Sequence, residues 1–410
     1  MIRKPSEKGQ ALILITFAMI GLVGFGALAI DGGRVLSDRR HAQNAADGAA
    51  YAAALASGKG QDLTTAAQIR ATSNGYDGGD MSDVTITAVN TASGVCPSTG
   101  KDITVTIVSD VPTSFARVLG RTLVQNTVTA TARACDPING APFYGNAIVS
   151  LRPTGNGFDA HGTPDWFITG GGILVNSNSA SAATCGGSAG VNAPSVTAVG
   201  GTGMSGCYSG STPVTGAPQL SFSDYATYFP RQPACNGIAT YSGGQWHPQS
   251  GADGSRVTWS GDADFAPGLY CVTNSPGPFH GEISGSEVTF YITNPNFSMK
   301  FNGGGNLTAQ APTSGEYKGV LMYLAPQFSG STLLNTQELD MRGNGTGQVR
   351  GSVIAPSATV TMFGNSGTGA FNSQVIAYNV DSGGNADITV SYQANDNYEV
   401  TFPVTLTLLK

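Results

Sequence analysis

The chain has 410 residues, too many for one ordinary domain, so two or three folded units are expected. Hydrophobic residues make up 40% of the chain, which allows a sizeable core and excludes global disorder. The 57 glycines follow no strict three-residue period, which excludes collagen, and a net charge of −6 gives no general attraction to nucleic acid.

The first predicted element is a membrane helix over residues 11–30, which contain no charged residue. A helix of that length spans roughly 30 Å, the thickness of the hydrocarbon core. Arg3, Lys4 and Lys8 precede it, so the positive-inside rule places residues 1–10 in the cytoplasm and the remaining chain outside. The alternative is a cleaved signal peptide ending near Ala29, but the long apolar stretch and its helical continuation favour a retained single-pass anchor.

Residues 31–135 are predicted to form an α+β stalk domain. An alanine-rich helix over 35–56 should begin it, after a flexible joint at Gly32-Gly33, with alanines at three- and four-residue steps marking one face. These alanines are Ala42, Ala45, Ala46, Ala49, Ala50 and Ala53. Three strands and a short helix then follow in the order β-β-α-β, over residues 83–89, 102–108, 111–119 and 123–134.

Residues 136–146 are predicted to be a linker, and residues 147–410 an all-β domain, because short apolar runs there alternate with Gly, Asn and Ser turns. Val353-Ile354-Ala355 recurs 22 residues later as Val375-Ile376-Ala377. Such spacing is typical of one coil of a right-handed parallel β-helix, and a β-sandwich is the alternative fold. The predicted strands cover 147–151, 172–175, 288–293, 319–324, 348–355, 358–363, 374–380 and 388–392.

Six cysteines in an exported chain predict disulfides, although they allow fifteen pairings. We expect the sequential set, Cys96–Cys135, Cys185–Cys207 and Cys235–Cys271. No cysteine has the spacing of a zinc site, and no basic neighbour activates a thiol for redox catalysis.

Other candidate sites are weak. Residues 201–206 fit the pattern GxGxxG, but no helix-forming sequence follows them, so a turn is favoured over a dinucleotide site. Trp246 and Trp259 could stack on sugars, and Asp262 with Asp264 could bind Ca²⁺, but core packing and a solvated turn are the simpler interpretations. The four histidines (His41, His161, His247 and His280) match no catalytic pattern, so no catalytic residue, cofactor or metal ligand is predicted.

Motifs over residues 8–56 resemble a known family. They are Gly9-Gln10-Ala11-Leu12, Ala29-Ile30-Asp31-Gly32-Gly33-Arg34, and Arg39-Arg40-His41-Ala42-Gln43-Asn44-Ala45-Ala46-Asp47-Gly48-Ala49-Ala50. This segment is similar to the TadG-like segment of Flp/Tad pilus assembly proteins. The stalk motif Val111-Pro112-Thr113-Ser114-Phe115-Ala116 and the distal motif Gly351-Ser352-Val353-Ile354-Ala355-Pro356 resemble later regions of such proteins.

The resemblance implies a non-enzymatic protein of the bacterial cell membrane that acts in pilus assembly or surface attachment. Its partners would be the inner membrane, pilus assembly components or other envelope proteins, and surface glycans, but not nucleic acid. A carbohydrate-binding adhesin is the alternative, and a polysaccharide-active β-helix enzyme is a weaker one. Prepilins of this system carry Glu five residues after the cleavage-site Gly. Leu14 occupies that position relative to Gly9, so the N-terminus is expected to stay attached.

Overall fold

The computed structural model describes residues 10–97, 99–301, 305–342, 349–364 and 371–409. The predicted cytoplasmic residues 1–9, with the candidate cleavage site at Gly9, lie outside the described residues. The chain forms two compact units. The first contains the described residues up to Ile138 and from Thr401, and the second comprises Asn139–Val400.

The first unit is a four-stranded antiparallel sheet covered by two helices. In chain order its elements are α1 (Gln10–Gly58), α2 (Leu63–Ser73), β1 (Ser82–Asn90), β2 (Gly100–Pro112), a short 3₁₀ helix (Ala116–Leu119), β3 (Leu123–Cys135) and the C-terminal strand β33 (Thr405–Leu409). The sheet has the order β1-β2-β3-β33. The sequence predicted the three strands of this β-β-α-β segment, while its short helix is confined to Ala116–Leu119 and is a 3₁₀ turn.

Helix α1 runs without a break from the apolar segment into the alanine-rich one. The flexible joint predicted at Gly32-Gly33 is therefore absent, and both glycines lie inside the helix. Helix α2 was not predicted. Asp62 begins it as the N-cap, since its carboxylate accepts hydrogen bonds from the backbone N–H groups of Thr64 (3.1 Å) and Thr65 (3.2 Å).

The C-terminal strand belongs to the first unit, whereas the sequence placed residues 401–410 in the distal domain. β33 pairs antiparallel with the end of β3, from Thr131↔Leu409 to Cys135↔Thr405. The whole second unit is therefore an insertion between two neighbouring strands of one sheet. Gly58 at the end of α1 packs closely against the residue just before this strand, because a Cβ there would lie 2.2 Å from Val404 Cγ2.

An ion pair joins β2 to β3 on the outer face of the sheet. Arg133 donates two hydrogen bonds to Asp102, from Nε (2.7 Å) and from Nη2 (2.8 Å), and these residues face each other in the β-ladder. This contact with the Arg133 guanidinium lowers the pKa of the Asp102 carboxyl below its usual 3.8.

Replacing Asp102 should make stability less dependent on acid pH. Because the folded-state pKa is lowered, the pair stabilises the fold above pH 3.8 and loses this effect as the pH falls through the lowered value. Asp102→Asn should lower the melting temperature by a few degrees at neutral pH, since the pair is partly solvated. Thermal unfolding across the acid range tests this, and a difference that stays constant down to low pH would contradict it.

The second unit is almost entirely β-structure. Its strands before residue 260 are β5 (Ile148–Ser150), β6 (Phe158–Ala160), β7 (Trp166–Thr169), β8 (Ile173–Val175), β9 (Ala183–Cys185), β10 (Val191–Asn192), β11 (Val196–Ala198), β12 (Thr202–Gly203), β13 (Tyr208–Ser209), β14 (Gly237–Ile238), β15 (Thr240–Ser242), β16 (Gln245–His247) and β17 (Ser255–Val257). Those after it are β18 (Ala263–Phe265), β19 (Gly268–Val272), β20 (Gly277–Phe279), β21 (Glu282–Gly285), β22 (Val288–Ile292), β23 (Ser298–Phe301), β24 (Asn306–Ala309), β25 (Val320–Leu324), β26 (Phe328–Ser329), β27 (Thr332–Leu333), β28 (Gln337–Arg342), β29 (Ser352–Phe363), β30 (Val375–Gly383) and β31 (Ile388–Ser391). A short helix α3 (Phe222–Tyr225) and 3₁₀ turns at Pro142–Gly145, Ala226–Tyr228 and Ala394–Asp396 interrupt them, and strands β4 (Ile138–Gly140) and β32 (Val400–Phe402) lie where the chain enters and leaves the unit.

Most strands of this unit pair in parallel. The largest sheet has the central order β11-β8-β5-β30-β29-β25-β22-β19-β17-β14. The repeat read from the sequence is a strand pair, with Val353, Ile354 and Ala355 of β29 opposite Val375, Ile376 and Ala377 of β30. β5 pairs with β30, so the first and last parts of the unit meet inside the sheet rather than at its two ends.

A continuous apolar core fills this unit. Inward-facing strand residues such as Ile148, Phe290, Leu321 and Val353 are fully buried. Tight turns between the short strands need glycine. At Gly170, with φ of +78°, a Cβ would lie 2.0 Å from the carbonyl oxygen of Tyr392, so a side chain there is excluded by both conformation and space.

Candidate functional site

The apolar half of α1 is uncovered. Residues 11–30 are exposed on every side of the helix, for example Leu12 (72%), Leu22 (73%) and Phe25 (77%). By length and composition this helix could cross a membrane, with a mean hydropathy of 2.5 in its most apolar window. Exposing so much contiguous apolar surface to water is unfavourable, so this part of the helix needs an apolar environment.

The next turn of the helix holds the loop between β2 and β3. The Asp31 carboxylate accepts three backbone N–H groups, from Ser114 (2.8 Å), Phe115 (3.0 Å) and Ala116 (2.7 Å). Asp31 is only 8% exposed, and these hydrogen bonds, led by that from Ser114, lower the pKa of its carboxyl. Arg34 extends the contact, since its Nη1 donates to Ser114 Oγ (2.8 Å). The loop is thus held by a carboxylate that stays ionised at neutral pH.

About two turns further along, the same face of α1 binds the sheet itself. Asp38 accepts hydrogen bonds from Ser109 Oγ (2.5 Å), Asn126 Nδ2 (2.8 Å) and Tyr76 Oη (3.0 Å). The amide of Asn126 also donates to the carbonyl oxygen of Val35 (3.0 Å). Burial, together with the neighbouring Asp38, raises the pKa of the Tyr76 phenol, so it remains a donor. We call Asp31, Arg34 and Asp38 with these partners the membrane-proximal clamp.

Beyond the clamp, alanine side chains make the contact of α1 with the sheet and α2. Ala42, Ala45, Ala46, Ala49, Ala50, Ala53 and Ala54 are all fully buried. They pack with Ile103, Val105 and Ile107 of β2 and with Ala67 and Ala71 of α2 in one apolar cluster. Small side chains allow the helix to approach the sheet closely. The apolar segment therefore continues without a joint into a helix bound to the sheet, whereas the sequence predicted a flexible joint at Gly32-Gly33.

Breaking the clamp should free the β2–β3 loop. Asp31→Asn keeps the size of the side chain but removes its charge and one acceptor oxygen. We expect amide hydrogen exchange at Ser114, Phe115 and Ala116 to accelerate on the order of tenfold. Asp47→Asn is the matched control, since among the described residues this carboxylate accepts a hydrogen bond from Gln43 of the same helix. Equal protection of the loop in both variants would show that the clamp does not hold it.

The aromatic and acidic residues singled out in the distal region do not form one site. Trp259 is buried (1% exposed), against Phe290 and Phe297, whereas Trp246 is half-buried and packs against the core. Asp264 accepts hydrogen bonds from Gln245 and Ser284, and Asp262 accepts one from the backbone of Glu282.

The GxGxxG segment forms β12 and a following turn, so it has no helix at which to bind a phosphate. Three of the histidines lie apart. His41 contacts the carbonyl oxygen of Asn74 (2.9 Å), His247 that of Ser242 (3.2 Å), and His280 is exposed.

One cluster was not predicted. His161 Nδ1 lies 3.0 Å from Asp381 Oδ1 and 3.4 Å from Asp159 Oδ2, and the two aspartates face each other on the paired strands β6 and β30. Burial raises the pKa of the Asp381 carboxyl. These three groups could hold a metal ion, but an imidazole whose Nδ1 faces two carboxylates accounts for the geometry equally well. The two aspartates are 222 residues apart, so no sequence motif could reveal the cluster.

The six cysteines form the three sequential pairs. Cys96–Cys135 joins the loop after β1 to the end of β3, while Cys185–Cys207 and Cys235–Cys271 lie in the second unit. Each disulfide therefore stays within one compact unit and closes a loop of fewer than 40 residues.

Comparison with known proteins identifies the N-terminal segment. Residues 9–56 match the family model described as putative Flp pilus-assembly TadE/G-like. These residues cover nearly all of α1, including Asp31, Arg34, Asp38 and the alanine face. Comparisons with curated proteins and with solved structures gave no match. The Tad segment supports involvement in a Flp/Tad pilus system.

Proposed function

We propose that this protein is a non-enzymatic, membrane-anchored component of a Tad pilus system that acts in pilus assembly or surface attachment. The observation that carries the proposal is the continuity of the Tad-matching helix. Its first half is bare and apolar, and its second half is bound to a folded sheet by the clamp and the alanine face. Such a helix fixes the folded stalk at a defined place on the membrane.

The N-terminus lies in the cytoplasm and both folded units lie outside the cell membrane. The basic residues Arg3, Lys4 and Lys8 before the apolar segment favour this orientation. The three disulfides favour it independently, because disulfides persist in oxidising compartments.

The second unit is a right-handed parallel β-helix. Parallel pairing of short strands about 20–32 residues apart, as in β19 with β22 and β22 with β25, supports this fold over a β-sandwich, in which neighbouring strands are mostly antiparallel. The right hand follows from the general rule for parallel crossovers.

The charged groups of the second unit favour a structural role over catalysis. Arg231 pairs with Asp253 (2.7 Å) and with Glu316 (2.7 Å), and His161 lies between two aspartates. Among the described residues, these groups satisfy one another's charge. The alternative, a carbohydrate-binding adhesin, has one observation in its favour. Exposed Tyr241 (60%) packs edge-on against Trp246, and the neighbouring Gln245 lines a surface groove with Asp264.

A gene deletion separates the two roles. If the protein acts in assembly, the deletion strain should lack pili, and the full-length gene should restore them. If it acts in attachment, pili should remain while binding to surfaces is lost. Normal piliation together with normal attachment would refute the proposal. Binding of the purified protein to a glycan panel, lost in Tyr241→Ala, would instead support the adhesin.

A further inference from the structure

The loop between β2 and β3 carries exposed apolar side chains next to arginines. Val118 is 86% exposed and Phe115 40%. Arg117 and Arg121 flank them and are also exposed, and residues 112–123 contain no acidic residue. An apolar tip among basic side chains is the composition of a surface that enters the interface of an anionic membrane.

The clamp places this loop at the height of the membrane surface. Asp31 directly follows the last apolar residue of the membrane segment, and it holds the backbone of Ser114 to Ala116. Asp38, about 10 Å further along the helix, holds Ser109 and Asn126. β2 therefore descends along α1 towards the bilayer, and Arg117 and Val118 lie at the turn where the chain reverses into β3.

We propose that the 113–121 loop docks on the phospholipid surface of the membrane that α1 spans. Val118 and Phe115 enter the interfacial layer, while Arg117, Arg121 and Arg34 contact anionic headgroups. The loop forms a second point of attachment beside the helix, so the stalk is held against tilting as well as against release. This inference rests on the proposed membrane anchoring, which the experiment below tests separately.

The chain is suited to a labelling experiment, because its six native cysteines are all in disulfides. A single cysteine is introduced as Val118→Cys and labelled with a fluorophore in the full-length protein, reconstituted into vesicles of phosphatidylcholine and phosphatidylglycerol. Leu22→Cys reports on the membrane helix. Val89→Cys is the matched control, since Val89 is an exposed valine (62%) of the same sheet, at the end of β1 about 23 Å from the end that faces the loop.

Lipids that carry a nitroxide near the headgroup should quench the fluorophore at position 118 strongly and leave position 89 bright. Arg117→Gln and Arg121→Gln should each lower the docked population about fivefold. Replacing phosphatidylglycerol by phosphatidylcholine should lower it as well, because the anionic headgroups are then absent. Equal, weak quenching at 118 and 89 with strong deep quenching at 22 would overturn the docking while leaving the anchoring intact. If position 22 is unquenched, both the docking and the anchoring are refuted. If position 118 is shielded in cells but not in vesicles, the loop binds a protein partner instead.

Discussion

Trp259→Ala should destabilise the second unit by about 3–5 kcal/mol. The side chain is 1% exposed, and its ring lies edge-on to Phe290, with centroids 5.2 Å apart, and to Phe297, at 6.3 Å. Removing it leaves a large cavity between rings that cannot collapse freely. Urea unfolding of the full-length protein in detergent, followed by hydrogen exchange at β22 amides, measures the loss.

Trp259→Phe is the matched control. The indole Nε1 of Trp259 is buried and has no hydrogen-bond partner among the described residues, so phenylalanine removes no hydrogen bond and keeps an aromatic ring. We expect it to cost less than about 1.5 kcal/mol. Tyr241→Ala, at an exposed aromatic, should leave stability nearly unchanged. A Trp259→Ala protein as stable as wild type, but impaired in glycan binding, would reverse the assignment of this residue to the core.

The sequence predicted those parts of the fold that leave a local pattern. The apolar stretch of α1 is marked by its length without charge, β1 and β2 by an alternation that reflects burial on one face, and β29 and β30 by a shared triplet. The stacking of β29 on β30 could be anticipated because the same three residues occur in both strands.

Long-range pairing leaves no such pattern. The sequence of β33 is that of an ordinary short strand. Nothing within it indicates that its neighbour is β3, more than 260 residues earlier. Trp259 shows the same limit in part. Core packing was the simpler interpretation of this residue and the structure buries it, but nothing near it in the sequence indicates that Phe290 and Phe297 are its neighbours.

The contacts of the clamp leave only a partial signal in the sequence. Asp31 belongs to the motif that carried the family resemblance, but by sequence alone it reads as a polar residue that ends a membrane segment. Its three partners are backbone N–H groups, which every non-proline residue possesses and which leave no trace in side-chain identity. Helix periodicity could have given a partial signal, since positions 31, 34, 35 and 38 share a face with the buried alanines.

The second large effect is expected from Ala46→Leu combined with Ala49→Leu. Both alanines are fully buried in the cluster that contains β2 and α2. Each isobutyl side chain that replaces a methyl must push the helix away from its partners. A single overpacked site costs about 1–3 kcal/mol of stability, and the two costs need not add because the sites are adjacent. Asn44→Leu adds the same side chain at an exposed position of the same helix and should have little effect.

The double variant separates anchoring from positioning. Its apolar residues 11–30 are unchanged, so the protein should still fractionate with membranes, while hydrogen exchange in β2 and β3 should accelerate. If the function depends on a stalk held rigidly by its membrane helix, piliation or attachment should fail in cells that contain normal amounts of this variant. Full function with a loosened sheet would mean that the helix serves only as a tether, and that the alanine face is needed for folding alone.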